Sequence, residues 1–265
     1  MDFYDRMKSG EKILIGMVHM LPLPGTFRSG FTIDDVLKRA VSDAEALESS
    51  GYDALIVENE DEATDTHLSK VQFAGFSMAA KAVKNAVSIP VGLCCGCLNY
   101  EEALSIAKVA GCSFVRLPIF VDTVMNYNGI ITPCSSRIIN YRKMIGAEDI
   151  RIFADVQVKH YVMVDPSVSI ATSTRWACRQ GADAVIVSGA DSGLETSSSQ
   201  LEEAKKVSRV PVVVGSGITE ANIKEKLGLA DGFIVGTSIR ENGKLSLPID
   251  KEKAARLVRE VSEAR

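Results

Sequence analysis

Four ionisable side chains stand at or just beyond the ends of short apolar runs. His19 follows Ile13–Val18, Glu58 follows Ala54–Val57, Asp155 follows Ile150–Ala154, and Lys159 comes four residues later. Carboxyl groups so placed suit acid–base work, because burial at the end of an apolar run raises a pKa toward a useful general-base value. Glu58 is therefore expected to act as a base, and Asp155 as an acid, a base or a cation ligand. Lys159 could orient or polarise a carbonyl, and His19 could join the chemistry or serve as a satisfied structural histidine. Asn59, Arg116, Gln157, His160 and Ser188 occupy comparable positions and are candidate substrate contacts. A plainer arrangement competes: Glu58 could form a salt bridge with Arg116 or Lys159. His160, five residues past its run, suits loop packing as well as chemistry.

A second group of residues suits an anion. Gly215-Ser216-Gly217 follows the β-branched run Val210–Val214, and Gly236-Thr237-Ser238 follows Gly232–Val235. Gly189 stands in a similar place beyond Ala184–Val187. Glycine lets a backbone approach an anion closely, bare N–H groups point at it, and Ser and Thr hydroxyls add donors. The expected ligand is a phosphorylated small molecule; the alternative is a set of tight turns between strand and helix. Cys94, Cys95 and Cys97 cluster without paired C-x-x-C knuckles, and no H-E-x-x-H occurs, so no metal site is assigned. The residues assign no cofactor.

The elements that would carry these side chains alternate along the chain. Apolar runs at 13–18, 54–57, 89–93, 113–117, 150–154, 184–187, 210–214 and 232–235 read as strands. Helical patterns separate most of them, with Thr32 or Asp34, Asn99 and Thr219 as candidate amino-terminal caps. Gly51, Gly111 and Gly181 each end a helix and are followed by a polar turn and a strand, and Gly228–Gly232 repeats this with one extra residue. The repeat recurs before every second strand, which predicts a single (β/α)8 TIM barrel over residues 1–265. An open doubly wound sheet would use the same units. In a barrel, the loops after strands seven and eight are the usual phosphate site, and catalytic groups come from several strand ends. Residues 118–135 read as one long loop, rich in Asn, Gly and apolar residues, that covers the mouth or meets a second subunit; a homo-oligomer is expected.

Composition bounds the rest. The 265 residues carry a net charge of −4, which argues against a general nucleic-acid surface. No run of 18 apolar residues could span a membrane, and the amino-terminal stretch lacks a secretory apolar region. A cytoplasmic protein with free thiols is the expectation.

The segments Val18–Gly25 (VHMLPLPG), Asp53–Ala63 (DALIVENEDEA), Ile152–His160 (IFADVQVKH), Gly181–Gly193 (GADAVIVSGADSG) and Val210–Thr219 (VPVVVGSGIT) resemble the BtpA/SgcQ family in order along nearly the whole chain. The resemblance implies a phosphate-binding TIM barrel. The family takes its name from a role in photosystem I biogenesis, and other members are linked with sugar metabolism. The chain departs from the family pattern at Cys94–Asn99, at Leu117–Ile119 and at Gln157, all on the side where substrate would sit. Two functions follow as expectations. One is an enzyme acting on a sugar- or nucleoside-like phosphate by proton transfer, lyase or hydrolase chemistry. The other is a non-catalytic biogenesis or assembly factor using the barrel as scaffold. A deep polar pocket would distinguish them.

Overall fold

The structure is a computed structural model that describes residues 2–60, 67–189 and 191–263. The last residues of the motif Asp53–Ala63, and Ala190 within Gly181–Gly193, lie outside the described residues. In chain order the elements are α1 (Phe3–Lys8), β1 (Ile13–His19), α2 (Ile33–Ser50), β2 (Ala54–Glu58), α3 (Lys70–Ala86), β3 (Val91–Cys94), α4 (Tyr100–Ala110) and β4 (Phe114–Leu117). They continue with β5 (Val124–Asn126), β6 (Gly129–Ile131), α5 (Ser135–Met144), β7 (Arg151–Val156), β8 (Val162–Met163), α6 (Ile170–Arg179) and β9 (Ala184–Val187). The chain then adds α7 (Ser198–Val207), β10 (Val212–Val214), α8 (Ile223–Lys226), β11 (Gly232–Val235) and α9 (Lys251–Ser262).

Strands β1, β2, β3, β4, β7, β9, β10 and β11 close into a parallel barrel, with β1 paired to both β2 and β11. Closure excludes the open sheet. Each barrel strand is covered on both faces, which is why it reads as a continuous apolar run rather than an alternation. Side chains still alternate in direction. Ile13, Ile15, Met17, Ala54, Ile56, Phe114, Phe153, Ile186, Val213 and Ile234 pack inside the barrel. Their neighbours pack outward against the helices.

No element is expected over residues 2–12 from the apolar pattern, yet α1 closes the amino-terminal end of the barrel. Asp2 caps it by accepting the Asp5 N–H, and Phe3 packs with ring centroids 5.1 Å from Phe114 and 6.1 Å from Phe153. The opposite mouth is left for loops.

The helix-ending glycines Gly51, Gly111 and Gly181 adopt φ values of 96°, 81° and 92°, the left-handed stop expected of them. Gly228 does not, because α8 is a single turn that ends without such a cap. Two expected caps also fail. Asn99 makes no capping bond; its amide instead accepts the Leu68 N–H and donates to the Cys95 carbonyl, tying two mouth loops together. Thr219 precedes the helix, and its own N–H donates to the side chain of Asn222.

The segment 118–135 is not a bare loop. Strands β5 and β6 form a hairpin, and β5 also pairs antiparallel with β8, from the loop after β7. This small sheet packs on Ile119 and Val158 and brings the turn Asn126–Asn128 to the mouth. Among the described residues, no helix is long and apolar enough to cross a membrane.

Candidate active site

The last inward positions of the strands carry the polar groups. His19 follows Met17 on β1, Glu58 follows Ile56 on β2, Arg116 follows Phe114 on β4, and Asp155 follows Phe153 on β7, each two residues on. All four are buried. Arg116 donates two hydrogen bonds to Asp155, Nε to Oδ2 at 2.8 Å and Nη2 to Oδ1 at 2.9 Å. Ser188 Oγ adds a third donor to Oδ1 at 3.2 Å. Arg116 Nη1 also lies 3.9 Å from Glu58 Oε1. Burial opposes its charge, but the Asp155 and Glu58 carboxylates outweigh burial and hold the guanidinium well above its ordinary pKa.

Glu58 differs from expectation. Burial and the charge of Glu60 push its carboxyl up, but contact with His19 and the charges of Arg116 and Lys159 win, and its pKa falls. Glu58 is therefore an ionised carboxylate over a wide pH range, not a carboxyl raised toward neutrality. His19 Nε2 stands 3.4 Å from Glu58 Oε2, an ion-pair contact (when the imidazole is charged) rather than a formed hydrogen bond. Among the described residues, Glu58 Oε2 and His19 Nδ1 have no hydrogen-bond partner. Both are buried acceptor or donor positions that a ligand could satisfy.

Two cavities meet at this layer. The larger, about 340 Å³, is floored by Cys94 and walled by Asn59, Glu60, Tyr161 and the hairpin turn with Tyr127. The smaller, about 170 Å³, lies between the two glycine turns and is lined by His19, Ser192, Gly217, Ile218, Thr237 and Ser238 among others. Glu58, Arg116 and Lys159 line both. Asp155 and Ser188 line neither, so Glu58 and Asp155 do not share a cavity as expected; Asp155 sits behind Arg116 and fixes it.

The glycine turns are shaped by close approach. At Gly217, with φ +72°, a Cβ would lie 2.3 Å from both the Leu194 carbonyl oxygen and the Glu195 Cα. At Gly236 it would lie 2.6 Å from the His19 ring. Among the described residues no hydrogen bond is seen from the N–H groups of Gly217, Ile218, Thr237 and Ser238, and all four residues line the small cavity. Two hydroxyls are engaged: Ser216 Oγ donates to the Leu194 carbonyl at 3.0 Å, and Ser238 Oγ donates to the Ile218 carbonyl at 2.6 Å. Gly189 does not join the anion set. Its N–H donates to Ser216 Oγ at 2.8 Å, and it lines neither cavity. Gly215 lines the small cavity, but its N–H continues the sheet to the Val187 carbonyl at 2.8 Å.

Gln157 is also misplaced by the sequence reading. Its φ of 49° turns the chain at the end of β7, and its side chain leaves the mouth to donate to the Val168 carbonyl at 2.9 Å. Its N–H is held by Asp122 Oδ2 at 2.7 Å. Lys159 and His160, just beyond, do face the mouth. Lys159 Nζ donates to Glu60 Oε1 at 3.1 Å and to Ser192 Oγ at 2.7 Å. His160 Nε2 lies 3.0 Å from Ser192 Oγ, and its Nδ1 lies 2.9 Å from Asp191 Oδ1. Ser192 also donates to Glu60. Burial pushes the Glu60 carboxyl up, but contact with His160, the charge of Lys159 and the bond from Ser192 carry its pKa well below the usual range. Glu60, Asp191 and Ser192 were not singled out from the sequence. Their one signal was adjacency, Glu60 to Glu58-Asn59 and Asp191-Ser192 to Ser188-Gly189 in a polar loop.

All six cysteines are free thiols, and burial pushes the Cys94 thiol well up. Among the described residues, no group of three or more His, Cys, Asp or Glu is arranged to hold a metal ion.

Comparison with known proteins places this chain among relatives of the same length. A sequence model described as the BtpA family matches residues 10–263. An uncharacterized protein of Pyrococcus furiosus is 39% identical over 94% of this chain and 94% of its own. The photosystem I biogenesis protein BtpA of Synechocystis is 29% identical, covering 99% of this chain and 92% of its own. Among solved structures, Mycobacterium tuberculosis tryptophan synthase superposes with a TM-score of 0.64 at 16% identity, over 97% of this chain and 96% of the other. Thiamine phosphate pyrophosphorylase from Pyrococcus furiosus does so with a TM-score of 0.59 at 14% identity, over 97% and 98%. At such identities the superpositions speak for the barrel fold alone.

Proposed function

The chain belongs to the BtpA family, and we propose on that premise that it is an enzyme acting on a small phosphorylated molecule of sugar or nucleoside type. The phosphate would sit in the small cavity between the glycine turns, and the body of the molecule in the larger one. One observation carries this reading: Glu58, Arg116 and Lys159 line both cavities, so a molecule anchored by its anion must pass these three charges. Backbone N–H groups suit a phosphate without a net positive charge, since Arg116 and Lys159 are each already matched by carboxylates.

The chemistry falls to Glu58. An ionised, desolvated carboxylate can take a proton or stabilise developing positive charge, as proton transfer, lyase or hydrolase chemistry requires. Arg116, held by Asp155, keeps its geometry while Glu58 acts. One relative bears the name of a photosystem I biogenesis protein, and a scaffold role is the rival reading. Buried charges lining two joined, half-open cavities favour the enzyme, because docking alone has no need of them. The exposed Met125, Ile130 and Val162 on the small sheet support self-association, and free thiols suit a cytoplasmic setting.

The test is calorimetric titration with sugar phosphates and nucleoside monophosphates beside their unphosphorylated parents. Phosphorylated forms are expected to bind about tenfold tighter or more, the scale of one charge-assisted hydrogen bond. Parents that bind equally well would overturn the reading.

A further inference from the structure

Among the described residues Lys159 is the one amine that lines both cavities, and its side chain is 9% exposed. Arg116 beside it is locked to Asp155, and a guanidinium does not give up its proton in a protein. We infer that Lys159 forms an imine with the carbonyl carbon of a phosphorylated aldehyde or ketone, an inference that rests on the anion reading of the small cavity. A phosphate at the glycine turns places the carbons next to it at the junction of the cavities, where Nζ lies. Lysine amines become nucleophiles when desolvated and when a neighbour can take the proton.

The neighbours supply that path. Nζ donates to Ser192 Oγ at 2.7 Å, and Ser192 Oγ lies 3.0 Å from His160 Nε2. Asp191 holds the other ring nitrogen at 2.9 Å, and the half-exposed ring can exchange its proton with solvent. An imidazole is a stronger base than the carboxylate of Glu60, which also contacts Ser192. In the step, Ser192 turns its hydroxyl hydrogen from Glu60 to His160 Nε2 and passes it there as Lys159 gives Ser192 one ammonium proton. The freed amine adds to the carbonyl carbon; the C–N bond forms, and the oxygen takes a second nitrogen proton. The hydroxyl then leaves as water with the proton returned from His160. Ammonium and carbonyl become iminium and water, and nothing is oxidised or reduced. The iminium would draw electrons from the adjacent carbon, where the Glu58 carboxylate could take a proton. Ser192, His160 and Asp191 act through Lys159 and are positioning residues.

The experiment is reductive trapping with sodium cyanoborohydride in the presence of dihydroxyacetone phosphate or glyceraldehyde 3-phosphate, with each lysine read by peptide mass. The expected result is a reduced adduct on Lys159 in excess of every other lysine. Lys159→Arg should lose it while still binding inorganic phosphate, which separates lost chemistry from lost folding. Binding of either compound by calorimetry without an adduct on Lys159 would overturn the imine and leave the anion site standing. Equal trapping of dihydroxyacetone without its phosphate would support the imine and contradict the anion site. Neither binding nor adduct would overturn both.

Discussion

Thr237→Asp is expected to abolish binding of inorganic phosphate while leaving the barrel folded. Thr237 lines the small cavity at the first turn beyond β11, and its N–H has no backbone acceptor among the described residues. A carboxylate there meets the anion at close range in a partly desolvated site. Like charges so placed cost several kcal/mol, or a fall in affinity on the order of 10²-fold or more. The change is of similar size and carries no positive φ, so the fold is not asked to adjust. Gly217→Asp is a poorer choice. Its Cβ would collide with the backbone of Leu194 and Glu195, so lost binding would not separate a repelled anion from a displaced loop. Thr237→Asp with unchanged phosphate affinity would remove the anion from the glycine turns.

Glu58→Gln is expected to lower kcat on the physiological substrate by about 10²-fold or more, the usual contribution of a positioned base, with some loss of stability because the buried carboxylate faces Arg116 and Lys159. The amide keeps the shape and contact with His19 but cannot accept a proton in the reaction. The pH profile gives a second readout. The folded carboxyl titrates below its ordinary value because His19, Arg116 and Lys159 outweigh burial and Glu60. A base must be ionised to work, so its loss on acidification begins only below the ordinary glutamate pKa of about 4.3. The Glu58 carboxylate should accordingly contribute no acid limb to kcat/KM between neutrality and about that pH. A limb centred near pH 6 that disappears in Glu58→Gln would contradict the lowered carboxyl, and a fully active Glu58→Gln would remove Glu58 from the chemistry.

The strand order was legible because each buried parallel strand appears as an apolar run, and because Gly51, Gly111 and Gly181 punctuate the helices. The same logic brought His19, Glu58, Arg116 and Lys159 to the mouth, since the strand ends of this fold lie there. What could not be read depends on partners far along the chain. The hairpin β5–β6 is held by β8, more than thirty residues on. Glu60 meets Lys159 and Ser192 across 99 and 132 residues. Asp155 reads like a catalytic acid, yet its two-pronged bond to Arg116, 39 residues away, makes it a support. Gln157 reads like its neighbours, but a positive φ turns it outward. Glycine type predicted close approach at the turns but not which N–H remained available; Gly189 donates to Ser216 and Gly217 does not. Helix α1 was invisible because six residues carry too little periodicity, and its apolar residues Phe3, Tyr4 and Met7 show their purpose only against Phe114 and Phe153.

The central claim is that an anion occupies the small cavity beside Glu58, Arg116 and Lys159. A crystal structure of the protein at saturating inorganic phosphate tests it most directly. The account predicts a tetrahedral ion within hydrogen-bond distance of the N–H groups of Gly217, Ile218, Thr237 and Ser238. A small cavity empty of anion under those conditions, or phosphate bound only elsewhere on the molecule, would contradict it.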